Sequence, residues 1–399
     1  MFERLARLPD DAILGLMAAF RADSDPHKVD LGVGVYRDDQ GRTPVLEAVR
    51  QAEQALLERQ TTKTYVGSAG NADFNQAMER LALGEDHPAL AAGRVRTIQA
   101  PGGCGALRLG AELIRTASPE SVVHVSTPTW VNHVPLLSGS GLKLERYPYF
   151  DPSTGGVQFE AMLAALERLS ARAVVLLHAS CHNPTGADLT EGQWRELLAL
   201  FKQRQLLPFI DIAYQGLGSG VAQDAFGIRL FCAQLPEVAV AASCSKNFGL
   251  YRERTGALHV ISETPAAADA VLSQLVRTAR SIYSMPPDHG AAIVHNVLAD
   301  NGLRKLWADE VAGMRGRLQG LRQQVMQHLA KACPQRDFGF IATQRGMFSF
   351  LGLDAQQVLE LRTRHHIYMT DDSRMNIAGL REDNLEYFAH AVARVLKAR

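Results

Sequence analysis

AVVLLHASCHNPTG, residues 173–186, decides the fold. Its first half is an apolar run without alternation, the pattern of a strand covered on both faces, and it stops abruptly at polar residues and an Asn183-Pro184 turn. Similar runs lie outward on both sides: VVHVS (122–126) and LKLERY (142–147) before it, LPFIDIAY (207–214) and VAVAAS (238–243) after it. The spacers QFEAMLAALERL and EGQWRELLALFKQRQ carry helical periodicity. Apolar strands alternating with helices predict an α/β fold, with a mainly parallel sheet sandwiched by helices.

Further out the pattern changes. After Pro44, apolar residues Val45, Leu46, Val49, Ala52, Ala55 and Leu56 fall at helical spacing, with Pro44 suited to the first turn. Beyond Ser262, residues 266–282 and 289–331 read as long helices broken near Met285-Pro286-Pro287, 338–352 as strands, and about 382–397 as a last helix. This predicts a large domain over 42–305 and a smaller α+β domain over 306–399. Residues 1–41, where Gly32, Gly34 and Gly41 suggest loop, form an N-terminal arm and join the small domain in part.

Composition narrows the function classes. The 399 residues carry 42 basic and 42 acidic side chains, so no overall charge favours nucleic acid or an anionic membrane. Cysteines 104, 181, 232, 244 and 333 have neither disulfide-framework nor metal-knuckle spacing, and read as reduced thiols of a cytoplasmic protein. The apolar stretch Ala12–Phe20 follows Asp10 and Asp11 rather than a basic segment, which predicts an amphipathic helix and not a signal peptide. No metal spacing is present among His133, His178 and His182.

Ligands of open α/β sheets bind beyond the carboxyl ends of the strands, so the residues closing each run are the candidates. They are Asn183 after the first run, Asp211 and Tyr214 at the second, and Ser243, Ser245 and Lys246 at the third. A lysine leaving a buried strand is suited to Schiff-base chemistry, because burial lowers its pKa. Each residue alone has a bland reading: a solvated lysine, a strand-end cap, a turn. Their joint occurrence favours chemistry. Gly102, Gly103 and Cys104 precede a helical pattern and can offer N–H groups to a phosphate. With Arg108 in place of the third glycine, and no strong strand ahead of the loop, this is not a dinucleotide fingerprint. Arg254 and Arg374 are suited to bidentate anion binding, although each alone reads as a surface ion pair.

The set LGVGVY (31–36), TTKTYVG (61–67), APGGCGALRLG (100–110), PTWVNH (128–133), CHNPTGADLT (181–190), DIAYQG (211–216), SCSKNFGLYRERTGA (243–257), YSMPPDHGA (283–291), RGMFSFLGL (345–353) and SRMNIAGL (373–380) resembles the class I aspartate and aromatic amino-acid aminotransferases, bacterial branch, over essentially the whole chain. The resemblance implies a fold-type I enzyme with a seven-stranded sheet, which binds pyridoxal 5′-phosphate and moves the amino group of aspartate or of Phe, Tyr or Trp to 2-oxoglutarate by a ping-pong route. It implies that Lys246 bonds the cofactor and shuttles the Cα proton. Asp211 pairs with the ring nitrogen, Asn183 and Tyr214 with the ring hydroxyl, and Trp130 stacks on the ring. His133 and His178 support Asp211 from behind. Gly102, Gly103, Cys104, Ser243, Ser245 and Arg254 hold the phosphate, joined by Tyr65 from a second subunit. Arg374, backed by Gly34, takes the substrate α-carboxylate, and Arg280 of the second subunit takes a distal carboxylate. A homodimer with shared sites, and closure of the 306–399 domain over substrate, follow from the same resemblance.

Two departures stand out. Cys104 occupies a position where relatives commonly carry Ser or Thr, and Thr370-Asp371-Asp372-Ser373 precedes Arg374 where relatives carry small residues and a glycine. The acids either form a solvated loop, draw Arg374 from its task, or favour a different side chain on the substrate. Other chemistry on the same fold, a β-lyase or decarboxylase, remains an alternative, as does a specialised substrate. A non-catalytic regulator is disfavoured by the joint presence of Lys246, Asp211, Arg280 and Arg374, and a dinucleotide-dependent dehydrogenase by the broken glycine fingerprint.

Overall fold

The computed structural model describes residues 1–8 and 12–397; Asp10 and Asp11 lie outside the described residues. A seven-stranded sheet forms the centre. Its strands are β1 (Val95–Pro101), β2 (Val122–Thr127), β3 (Lys143–Pro148), β4 (Val174–His178), β5 (Leu207–Ile212), β6 (Val238–Ser243) and β7 (Thr255–Ile261), in the spatial order β1-β7-β6-β5-β4-β2-β3. β2 through β6 pair in parallel with β3 at one edge, while β7 runs antiparallel to both β1 and β6. The central strands are buried along nearly their whole length, as expected of apolar runs covered on both faces.

Apolar residues form a separate core on each side of the sheet, with Val175, Leu177, Ile210 and Val240 on one face and Val174, Leu176, Phe209 and Ala241 on the other. A third core joins Val29 and Leu31 to residues from Leu321 to Val395. Three helices matter for the site: α1 (Ala12–Ala22), α2 (Gly102–Ala117) and the 32-residue α3 (Asn301–Ala332). The N-terminal part of α3, through Leu318, contributes Trp307, Val311, Met314 and Leu318 to the sheet's core, and the remainder contributes Leu321, Val325 and Leu329 to the third core.

Several local expectations need correcting. β1 does lead directly into the glycine loop, contrary to the sequence reading. Arg96, Thr97 and Gln99 interrupt its apolar pattern, and pairing with β7 along its whole length supplies the order that the pattern lacks. In 338–352 only Phe348–Phe350 is a strand, and Phe340–Thr343 is a short helix. The helix expected after Pro44 begins at Glu47, where the backbone N–H groups of Glu47 and Ala48 donate to the Glu310 carboxylate instead of a local cap. The 289–331 stretch is two helices separated at Asp300, whose side chain caps the second by accepting from Leu303 N–H.

Candidate active site

The sheet's register brings the expected residues to one rim. His178 at the end of β4 pairs with Asp211 on β5, and Asp211 pairs with Ala241 on β6, two residues before Ser243. Because β7 is antiparallel, its start lies at the same rim: Thr255 pairs with Pro101 and Gly256 with Ser243. Arg254 thus meets the N-terminus of α2. A Cβ on Gly256 would stand 2.6 Å from both the Gly102 carbonyl carbon and the Ala242 oxygen, so the close approach requires glycine here.

A pocket of about 240 Å³ opens at this rim. Gly34, Gly103, Cys104, Trp130, Asn183, Asp211, Tyr214, Ser243, Ser245, Lys246, Arg254 and Arg374 all border it, as does His178. Gly102 lies just beneath, buried at φ +69.

Asp211 is 7% exposed, and burial works against its charge. His133 Nε2 lies 3.1 Å from Asp211 Oδ2, and this hydrogen bond, with the fields of His133, His178 and Lys246, holds the carboxyl below its ordinary range. The carboxylate needs a donor, so His133 carries its proton on Nε2. Its Nδ1 then accepts from the Thr129 hydroxyl at 2.8 Å, and Thr129 in turn accepts from His178 Nε2 at 3.2 Å. Burial, reinforced by His133, pushes His178 down to about 3, so it stays neutral. His182 continues the stack, 4.1 Å from His178 and 4.2 Å from Tyr149 between ring centroids. Burial pushes it far down as well. A charged carboxylate therefore rests on a hydrogen-bonded backing of His133, Thr129 and the neutral His178.

Lys246 follows β6 at a turn. Its Nζ lies 4.9 Å from the Tyr214 ring centroid and makes no hydrogen bond among the described residues. Burial lowers its pKa, partly opposed by the Asp211 carboxylate. Beside it, Arg254 Nη1 reaches Ser245 Oγ at 3.4 Å, and a Cβ on Gly102 would sit 2.5 Å from Arg254 Nη2. The N-terminal turn of α2, the Ser243 and Ser245 hydroxyls and the Arg254 guanidinium form a cradle suited to a phosphate dianion. At Cys104 the thiol accepts only a 3.6 Å contact from Asn132 Nδ2.

Arg374 is 4% exposed and stands over the Phe348 ring at 4.6 Å. One Nη donates to Gly32 O at 2.9 Å and the other contacts Asn183 Oδ1 at 3.5 Å, while Nε is buried without a partner among the described residues. A buried guanidinium that borders the pocket with an unpaired N–H is suited to an anion. Asn183 Nδ2 also reaches Tyr214 Oη at 3.4 Å. Its loop is anchored by Asp188, whose two oxygens accept from Cys181 and His182 N–H at 2.7 and 2.8 Å.

Tyr65 and Arg280 are not brought to the pocket of their own chain. Tyr65 is 88% exposed, and Arg280 is exposed on the helix Pro265–Tyr283. Sequence reading missed Thr129, Phe348, Tyr251 and Trp307. Trp307 Nε1 donates to Asn247 O at 2.8 Å and its ring stacks on Phe248, fixing the turn that follows Lys246. Thr129, Tyr251 and Phe348 lie inside the PTWVNH, SCSKNFGLYRERTGA and RGMFSFLGL motifs, but their partners are not readable from the sequence, and Trp307 comes from a distant helix with no local signal.

Comparison with known proteins agrees with this geometry. The family model described as aminotransferase class I and II matches residues 26–392. An aromatic-amino-acid aminotransferase of Pseudomonas aeruginosa is 47% identical over 394 residues, covering 99% of this chain and 98% of that protein. An aspartate aminotransferase of Escherichia coli is 42% identical over 396 residues, covering 99% and 100%. The crystal structure of an aromatic-amino-acid aminotransferase from Burkholderia pseudomallei, covalently bound to pyridoxal phosphate, superposes with a TM-score of 0.97 at 46% identity over 100% of both chains.

Proposed function

The chain belongs to the class I and II aminotransferase family, and from that premise we propose that it transfers the amino group of aspartate or of an aromatic amino acid to 2-oxoglutarate in two half-reactions, using pyridoxal 5′-phosphate. The observation that carries this reading is one pocket holding the unbonded Lys246 amine, the charged Asp211 and the free Nε of Arg374.

The residues present fit the cofactor: a buried amine, a carboxylate opposite it, a tryptophan at the wall and a phosphate cradle. When bound, pyridoxal phosphate supplies an electrophilic carbon for the amino group and a conjugated ring that stores the electron pair released at Cα. The chain does the rest. Lys246 Nζ anchors the cofactor, and once the substrate amine has displaced it, takes the Cα proton as general base and returns it as general acid. Asp211 holds a fixed negative charge for a protonated ring nitrogen, with His133 and His178 behind it. Tyr214 Oη and Asn183 Nδ2 bind the ring hydroxyl, and Trp130 covers a ring face. Gly102, Gly103, Cys104, Ser243, Ser245 and Arg254 hold the phosphate. Arg374, backed by Gly34, orients the α-carboxylate so that the Cα–H bond faces Lys246.

We infer a homodimer in which Tyr65 and Arg280 enter the neighbouring subunit's site, at the phosphate and at a distal carboxylate respectively. The exposure of Tyr65 together with Leu57, Val66 and Ile282 supports it. A division into a 1–41 arm, a 42–305 large domain and a 306–399 small domain that closes over substrate belongs to the same reading, supported by the separate third core. Among the described residues no helix is long and apolar enough to cross a membrane. Five unpaired cysteines support a cytoplasmic setting.

Borohydride reduction of the cofactor-loaded protein followed by peptide mass mapping tests the assignment of Lys246. The reading expects a reduced phosphopyridoxyl adduct on Lys246 alone. An unmodified Lys246, or an adduct on another lysine, contradicts it.

A further inference from the structure

Arg374 is held from behind by Gly32, whose carbonyl oxygen accepts from its guanidinium at 2.9 Å. Gly32 has no side chain to fix that carbonyl, so its neighbours must. On the entering side, Val29–Asp30 pairs in parallel with Ile367–Tyr368, Leu31 N–H donates to Tyr368 O at 2.8 Å, and Leu31 O accepts from Asn376 N–H at 2.7 Å. On the leaving side, Asn376 Nδ2 donates to Val33 O at 2.6 Å and to Val35 O at 2.8 Å. Asn376 belongs to the strand Arg374–Asn376, so the segment carrying Gly32 and the strand carrying the arginine are tied together.

Asp30 completes this arrangement at Gly32 itself. Its Oδ1 accepts from Gly32 N–H at 3.0 Å, the local turn that a carboxylate two residues ahead is suited to form. Its Oδ2 accepts from Arg37 Nη2 at 2.5 Å, and Arg37 Nη1 reaches Asp30 O at 3.4 Å. Asp30 is buried, and the Arg37 guanidinium compensates its charge there. Asp30 thus has Arg37 as its ionic partner and acts on Arg374 only through the Gly32 backbone.

We propose that Asp30 is a positioning residue for α-carboxylate recognition: by fixing the Gly32 backbone it aims Gly32 O at Arg374, and so holds the guanidinium where it borders the pocket. The proposal rests on the aminotransferase reading above, in which Arg374 takes the α-carboxylate, and adds the residue that keeps the arginine in register.

The test is a series at one position, Asp30→Asn, Asp30→Ser and Asp30→Ala, in the pyridoxal-phosphate-loaded protein. Asp30→Asn keeps an acceptor for Gly32 N–H, Asp30→Ser keeps a weaker one and Asp30→Ala keeps none. All three remove the charge facing Arg37, so differences among them isolate the contact to Gly32. Calorimetric titration with 3-phenylpropanoate, a non-reacting monocarboxylate, reads the arginine. Equilibrium dialysis of pyridoxal phosphate reads the rest of the pocket, which Asp30 does not border. The expected result is that probe affinity falls in the order Asp30→Asn, Asp30→Ser, Asp30→Ala, from less than about 3-fold to about 10-fold, the weight of one hydrogen bond, while cofactor retention stays within about twofold. Should Asp30→Ala fail to fold, the other two variants still give the order. Probe affinity unchanged across the series, or falling only in step with cofactor retention, overturns the role of Asp30 and leaves the aminotransferase reading standing. Arg374→Ala is the companion measurement: if it does not weaken the probe, or if the unaltered protein does not bind the probe, the assignment of the α-carboxylate to Arg374 fails and the proposal with it.

Discussion

Asp211 concentrates the site's electrostatics in one side chain. It keeps its charge in a buried position because His133 donates to it and because Lys246 lies within its field. Asp211→Asn preserves an acceptor for His133 Nε2 but removes the charge facing the pocket. We expect the half-reaction to slow by about 10³-fold or more with little loss of stability, measured by single-turnover kinetics beside a denaturant titration. A change under tenfold would show that the charge is dispensable. Cys104→Ser restores a hydroxyl to the phosphate cradle, and equilibrium dialysis should find the cofactor retained about 3- to 10-fold more tightly. At this scale much was legible beforehand, because Asn183, Asp211 and Lys246 close three apolar runs and their alignment follows from parallel pairing alone. Asp188, Thr129 and Trp307 were not, since what they do depends on partners that no local pattern reveals.

The elements that position the site were read well where both faces are buried and poorly where pairing supplies the order. β4, β5 and β6 announce themselves by uninterrupted apolar residues. β1 is broken by Arg96, Thr97 and Gln99, and becomes a strand through seven cross-strand partners on β7. The 338–352 stretch was misread because its apolar residues pack into a short helix and a three-residue strand around buried Arg322, whose guanidinium donates to the carbonyls of Ile341, Arg345, Gly346 and Phe348. Helix ends also carry local strain. The helix Glu191–Arg204 ends at Gln205 with φ +53, a left-handed conformation that favours glycine. Gln205→Gly should therefore stabilise the protein by about 0.5–1 kcal/mol, seen as a higher denaturant midpoint at unchanged slope. A lower midpoint would mean that the side chain contributes more than the backbone strain costs.

For the whole molecule, two predictions concern stability and assembly. Burial pushes His259 down to about 4, and its Nε2 has no partner among the described residues, so the folded state holds it neutral. The unfolded chain protonates this histidine near its ordinary 6.5, so between 6.5 and about 4 the unfolded state binds more protons and acid favours unfolding. The contribution reaches at most about 1.4 kcal/mol per pH unit. His259→Asn keeps an amide able to hydrogen-bond the Thr97 hydroxyl, and the variant should lose less stability than the parent between about pH 6.5 and about pH 4.5. An identical loss would show that His259 does not titrate in that window. Shared sites make a second test possible. Lys246→Ala and Arg280→Ala chains, each poor with aspartate alone, should regain activity when refolded together, to about a quarter of the parent's sites in a random mixture of dimers. No recovery in a verified mixed dimer would place Arg280 outside the partner's site.

The central claim is that this pocket takes an amino group from an amino acid and keeps it on the cofactor. The most direct measurement is the visible absorbance of the pyridoxal-phosphate-loaded protein before and after L-phenylalanine, and separately L-aspartate, with no keto acid present. The account predicts that the lysine-bound absorbance disappears in favour of the amino form with one equivalent of keto acid released, with at least one of the two amino acids, and that 2-oxoglutarate restores it. Persistence of the original absorbance with both amino acids, or release of ammonia or carbon dioxide in place of a stored amino group, would contradict it.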